Sequence, residues 1–247
     1  MQKVVVDLWK TGMHRVEVGI KKREEYRAKT RKFTADMDII GEIRVDKETV
    51  GYVAYRKGLW EKEDPLERRL VIRTFTKDIS WIAGIEENIG KSIALTLAYD
   101  TPSPAFTIFH AKSRIVYTVE KIRAKILETD MLIFTFIDEN KVLMPLLIRS
   151  KRFAIGSDWD IIDMVSGKKV AHVDGKVLDI GGEFTIKTNI KSQKLVNSLV
   201  LIAALMKFYD DIKRKLDAIA ERLKKRKTYI KLSKTDASFF FNPRVRR

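Results

Sequence analysis

The run Leu195–Met206 (LVNSLVLIAALM) constrains the fold most, because it is apolar on nearly every face of a helix and is interrupted only by Asn197 and Ser198. It is well short of the roughly 20 residues that a bilayer span requires. A helix of this kind has to be wrapped by other parts of its own chain. Ser192 is placed to serve as its N-cap. The periodicity then continues through Leu195, Leu199, Ile202, Met206, Tyr209, Leu216, Ile219 and Leu223 to about Lys227. Up to Phe208 the helix reads as core; from Asp210 it becomes amphipathic with a basic outer face.

From Phe33 onward the sequence breaks into short runs rich in Ile, Val, Phe and Tyr separated by turn residues, the pattern of many strands. Such runs are Ile39–Val45, Val50–Tyr55, Leu70–Phe75, Ser92–Ala98 and Phe106–Phe109, with a hairpin over Met131–Ile137 and Val142–Ile148 and further strands at Asp160–Lys176 and Glu183–Thr188. Val170-Ala171-His172-Val173 is echoed by Val50-Gly51-Tyr52-Val53 and by Val116-Tyr117-Thr118-Val119, a weak repeat that points to equivalent hairpins in one body. The residues by themselves point to one sheet-rich α+β body with a buried C-terminal helix and basic terminal extensions. Residues 1–33 read as a basic arm with a short helix, 34–211 as the β-rich domain, and 212–247 as a basic helix extension with an aromatic tail.

The stretch Phe153-Ala154-Ile155-Gly156-Ser157-Asp158-Trp159-Asp160-Ile161, followed by Gly167-Lys168-Lys169-Val170-Ala171-His172-Val173-Asp174-Gly175-Lys176, the strand Glu183–Thr188 and an apolar helix, resembles the closing section of the LURP-one-related and tubby-like domains. Phospholipid scramblases are similar. The resemblance covers mainly residues 150–210 and implies an α+β fold: an antiparallel β-barrel of about a dozen strands, or a strongly curved sheet, around a central apolar C-terminal helix, with basic terminal extensions. In that superfamily tubby-like members bind phosphoinositides and scramblases are linked to calcium and lipids, so the resemblance implies a lipid role, without assigning ligand residues here.

Charge divides the chain into three. Residues 1–33 hold ten Lys/Arg against four Asp/Glu, residues 212–247 hold thirteen against three, and the segment between them is balanced, so the net charge of +16 sits at the ends. Basic terminal segments suit a polyanion, because each Lys or Arg that meets a phosphate releases condensed counterions. The chain has no cysteine, which removes disulfides, thiolate zinc sites and cysteine nucleophiles and fits a reducing cytoplasm. Its two glutamines, Gln2 and Gln193, beside abundant Lys, Glu and Arg, fit a thermophile. No targeting segment is expected at the N-terminus.

Several motifs tempt and fail. Gly181-Gly182-Glu183-Phe184 spells the signature of diguanylate cyclases without their α/β framework. Gly84–Ser92 (GIEENIGKS) resembles a P-loop with one residue too many between Gly84 and Gly90 and with Glu86 and Glu87 to repel any phosphate, so it reads as a turn before the strand Ile93–Ala98. Asp158, Asp160 and Asp163 lack the glycine and terminal glutamate of an EF-hand loop. His14, His110 and His172 have no paired spacing. No catalytic group, metal or cofactor is expected.

Two functional readings follow. In the first, a non-enzymatic RNA-binding protein associates with rRNA or a ribosomal subunit, as ribosome dimerisation and hibernation factors do. The expected phosphate contacts are Lys21, Lys22, Arg23, Arg27, Lys29, Arg31 and Lys32 in the N-terminal arm, and Lys213, Arg214, Arg222, Lys224, Lys225, Arg226 and Lys227 on the helix. Lys231, Lys234, Arg244, Arg246 and Arg247 continue them along the tail, while Phe239, Phe240 and Phe241 stack on bases. Ile212, Leu216, Ile219 and Leu223 form a narrow stripe expected to pair two subunits. In the second reading the basic helix lies on anionic lipid and the Phe cluster dips into the interface. The residues favour RNA, because a basic tail suits threading along phosphates and Ala218 and Ala220 are small for a lipid-facing edge.

Overall fold

The computed structural model describes residues 2–8, 37–122, 130–138, 140–150, 158–175 and 182–225. Twelve antiparallel strands close into one barrel. They are β1 (Gln2–Leu8), β2 (Asp38–Val45), β3 (Glu48–Tyr55), β4 (Val71–Thr76), β5 (Trp81–Glu87) and β6 (Ala105–His110), followed by β7 (Val116–Lys121), β8 (Met131–Ile137), β9 (Leu143–Ser150), β10 (Trp159–Asp163), β11 (Lys169–Gly175) and β12 (Glu183–Thr188). Each strand pairs with its neighbour in sequence, and β1 closes the ring between β12 and β2, with Val4 opposite Ile186 and Val45. Four helices complete the described residues: α1 (Lys57–Trp60), α2 (Ile89–Tyr99), α3 (Gln193–Met206) and α4 (Tyr209–Lys224).

The strands form because alternate residues are apolar and face one way. In β8, Leu132, Phe134 and Phe136 are fully buried while Met131, Ile133, Thr135 and Ile137 are half-buried on the other face. Turns are set by residues that accept left-handed backbone: Asp46 and Lys47 (φ 49° and 70°) join β2 to β3, and Gly167 (φ 67°) helps join β10 to β11. Five short connections, β2–β3, β4–β5, β6–β7, β8–β9 and β10–β11, fall at one end of the barrel, here the hairpin end. The strands that echo each other in sequence, β3, β7 and β11, are each the second strand of such a hairpin.

A single apolar cluster takes in side chains from all twelve strands together with Leu195, Val196 and every residue from Leu199 to Met206. α3 begins at the hairpin end, where Ser198 meets His110 on β6, and finishes where Lys207 approaches Gly182 at the start of β12. Apolar side chains thus fill the ring, the reverse of an outer-membrane barrel with its polar interior. A smaller cluster of Met37, Ile39, Tyr52, Ala54, Phe75 and Ile79 is buried on the opposite face of β2–β4.

Three expectations change. The segment Ser92–Ala98, read as a strand, lies within helix α2, capped by Asn88, whose side chain accepts from the Lys91 N–H at 3.2 Å. Residues 2–8, counted with the basic arm, are a barrel strand. The C-terminal helix breaks at Lys207-Phe208 into α3 and α4.

Candidate nucleic-acid interface

α4 is the described element on which the expected RNA-contacting cations fall. Phe208, at the break, packs against Tyr55 (centroids 5.6 Å apart) and Trp60 (5.5 Å), and Tyr209 packs edge-on to Trp159 (5.6 Å). These contacts lay α4 against the end of the barrel opposite the hairpins. Its inner face is Tyr209, Ile212, Lys215, Leu216, Ile219 and Ala220, all buried.

This burial corrects the expected dimer stripe. Ile212, Leu216 and Ile219 are fully buried in the chain's own core and Leu223 packs against it. A stripe already covered by the barrel has nothing left to offer a second subunit. The same burial corrects the picture of this helix lying on lipid, since its apolar face is taken.

Lys215 sits in the middle of that face with no exposure, its ammonium donating to both carboxylate oxygens of Glu87 and, at 3.4 Å, to the Arg68 carbonyl. The Trp60 ring lies 5.7 Å from the ammonium. Burial lowers the Lys215 pKa, and Glu87 opposes that shift. The pair anchors α4 across the barrel end.

The outer cations all meet carboxylates. Lys213 reaches Asp130 (2.9 Å) and Asp210 (3.0 Å), and Asp130 also receives Lys121 at 2.8 Å. Burial pushes the Asp130 carboxyl up, but hydrogen bonds from Lys121 and Lys213 outweigh it and hold the group below its ordinary value. Arg214 pairs with Asp211, Arg222 with Asp64 at 3.0 Å, Lys224 with Asp100, and Lys225 with Glu221 at 3.4 Å. The exposed pairs of Arg214, Arg222, Lys224 and Lys225 each contribute little, so a phosphate can replace the carboxylate there at little cost.

Lys21, Lys22, Arg23, Arg27, Lys29, Arg31 and Lys32 lie outside the described residues, as do Arg226, Lys227, Lys231, Lys234, Phe239–Phe241, Arg244, Arg246 and Arg247. On the outer wall of β12, β1 and β2, Lys3, Val5, Arg44, Asp46, Lys47 and Glu183 line an open recess of about 440 Å³. Arg44 there is held by Asp7 and Glu42.

The tempting motifs resolve structurally. In the P-loop-like stretch, Gly84–Glu87 belongs to β5, Lys91 pairs with Glu120, and Ser92 is buried and accepts from the Ala105 N–H at 2.8 Å. Asp160 binds the His172 Nδ1 at 2.8 Å and Lys169 at 3.5 Å. Among the described residues no group of three or more His, Asp or Glu side chains is arranged to hold a metal ion. His110 is buried against Ser198 Oγ (3.0 Å), and burial, assisted by Lys194, pushes its pKa down to about 4. No described helix is long and apolar enough to cross a membrane. Comparison of the chain with family models, with curated proteins and with solved structures gives no match.

Proposed function

We propose that this chain is a non-enzymatic binding protein for structured RNA, associated with rRNA or a ribosomal subunit, in which a neutral filled barrel carries basic arms that grip phosphate. The observation that carries the reading is the partition of charge. The segment 34–211 is balanced, α4 has its cations paired with acids, and the excess of +16 is left mainly to the terminal segments. The same reading takes α3 as the axial helix of a barrel of the LURP-one and tubby-like type, supported by the twelve-strand ring and by the burial of α3 in a core shared with every strand.

The test is sedimentation of the full chain with ribosomal subunits and filter binding to rRNA, compared with a chain lacking residues 228–247. The expected result is weaker binding with an unchanged melting temperature. The log–log salt slope should shrink by about 0.7–0.9 for each phosphate that the shortened chain leaves unneutralised. Replacing Phe239, Phe240 and Phe241 with Ala should cost roughly 1–3 kcal/mol per stacked base with the slope unchanged. RNA binding that is insensitive to salt, or absent from the full chain, would overturn the reading.

A further inference from the structure

Among the described residues, four of the seven large apolar side chains left exposed lie at two neighbouring hairpin tips: Val142 (56%) and Leu143 (57%) where the β8–β9 turn enters β9, and Met164 (48%) and Val165 (80%) between β10 and β11. The tips are joined by the Met164 N–H donating to the Pro145 carbonyl at 2.9 Å. Half-buried Ile133, Pro145 and Leu147 continue the apolar surface along the outward face of β8 and β9, where Ile133 is opposite Leu147. Isolated exposed aliphatics need no explanation, but a contiguous set does.

The charges around this knuckle differ in kind from those on α4. Lys141 and Lys168 at the two tips, and Lys112 and Arg114 on the neighbouring β6–β7 hairpin, are exposed and make no ion pair within the described residues. Of the tip acids, Asp138 accepts from the Val142 N–H at 2.7 Å and Asp163 accepts from the Val165 N–H at 3.0 Å and the Ser166 hydroxyl at 2.6 Å, while Glu139 lies outside the described residues. These bonds also hold the aliphatic side chains at the outermost points of firm turns.

We propose that the hairpin end between β6 and β11 docks on an anionic phospholipid bilayer, with Val142, Leu143, Met164 and Val165 entering the interface and Lys112, Arg114, Lys141 and Lys168 meeting lipid phosphates. Aliphatic tips suit hydrocarbon better than RNA, where stacking needs aromatic or guanidinium planes. Unpaired cations beside them supply the attraction to anionic lipid. The surface is distinct from the terminal arms and stands independently of the RNA reading.

The absence of cysteine makes the test clean. Full-length V165C labelled with an environment-sensitive fluorophore should shift to the blue with vesicles of phosphatidylcholine and phosphatidylserine, and far less with phosphatidylcholine alone. The same label at Lys62, near the opposite end, should not shift. In flotation, the exposed double variant Leu143→Asp/Val165→Asp should lose at least about tenfold in vesicle partitioning, because two aliphatic anchors become charges. It should keep the parent's melting temperature and RNA affinity. Three results would overturn the proposal: no flotation of the full chain with anionic vesicles, flotation unaffected by the double variant, or a blue shift that rises with protein concentration without lipid, which would assign the knuckle to a second copy. Loss of RNA binding in the double variant would assign the tips to RNA instead and overturn it equally.

Discussion

Lys215 is sealed from water, so its charge is tolerated only because Glu87 faces it. Removing one partner strands the other, and Lys215→Met alone is expected to cost about 3–5 kcal/mol, whereas Lys215→Met with Glu87→Leu should recover most of that loss, since a buried pair often exchanges for apolar packing without penalty. Urea denaturation of the two variants decides this. His110 adds a pH dependence. Its ring protonates near pH 4 in the folded protein against 6.5 in the unfolded chain, so the folded state binds fewer protons between those values. The stabilisation is fully present above 6.5 and is lost as pH falls toward 4, a total on the order of 3 kcal/mol; His110→Gln should flatten that part of a stability–pH profile. At this scale the site was only half legible in the sequence. The cations of α4 follow from composition and periodicity, but their partners Asp64, Glu87, Asp100 and Asp130 lie between about 80 and 160 positions away and meet the helix only once the barrel is closed. No local pattern encodes such pairs.

Among the elements, most strands were readable because period-two burial is written directly into alternating residues, as in β8 and β11. α2 was not, because two of its four buried positions, Ser92 and Thr96, are polar and bond to backbone, and this hides the helical period behind a run of β-favouring residues. β1 shows alternation at Val4, Val6 and Leu8, but its basic surroundings drew it into the arm. Its seam with β2 is tight: a Cβ at Gly41 would stand 2.3 Å from the Asp7 carbonyl oxygen and 2.7 Å from Leu8 Cδ2. Gly41→Ala is therefore expected to destabilise by about 1–3 kcal/mol through overpacking. Amide exchange should quicken in β1 and β2 before it does in β8 and β9; uniform exchange would refute a local effect.

For the whole molecule, one core serves both the ring and the helices. Leu199 is fully buried in α3, and Leu199→Asp should abolish the single cooperative melting transition, because an unpaired buried carboxylate costs several kcal/mol. A soluble variant with a native near-ultraviolet spectrum would refute the shared core. The closure of the ring by β1 and β12 has a consequence for how the chain is made. β1, made ahead of the other eleven strands, finds one of its two partners only after Thr188 has emerged, and α3 joins the shared core later still. Throughout synthesis the nascent sheet is open and its greasy face is bare, the condition in which β-rich chains aggregate. Folding is thus a late, concerted act, and residues 1–188 expressed alone should precipitate unless residues 189–247 are supplied beside them to complete the barrel.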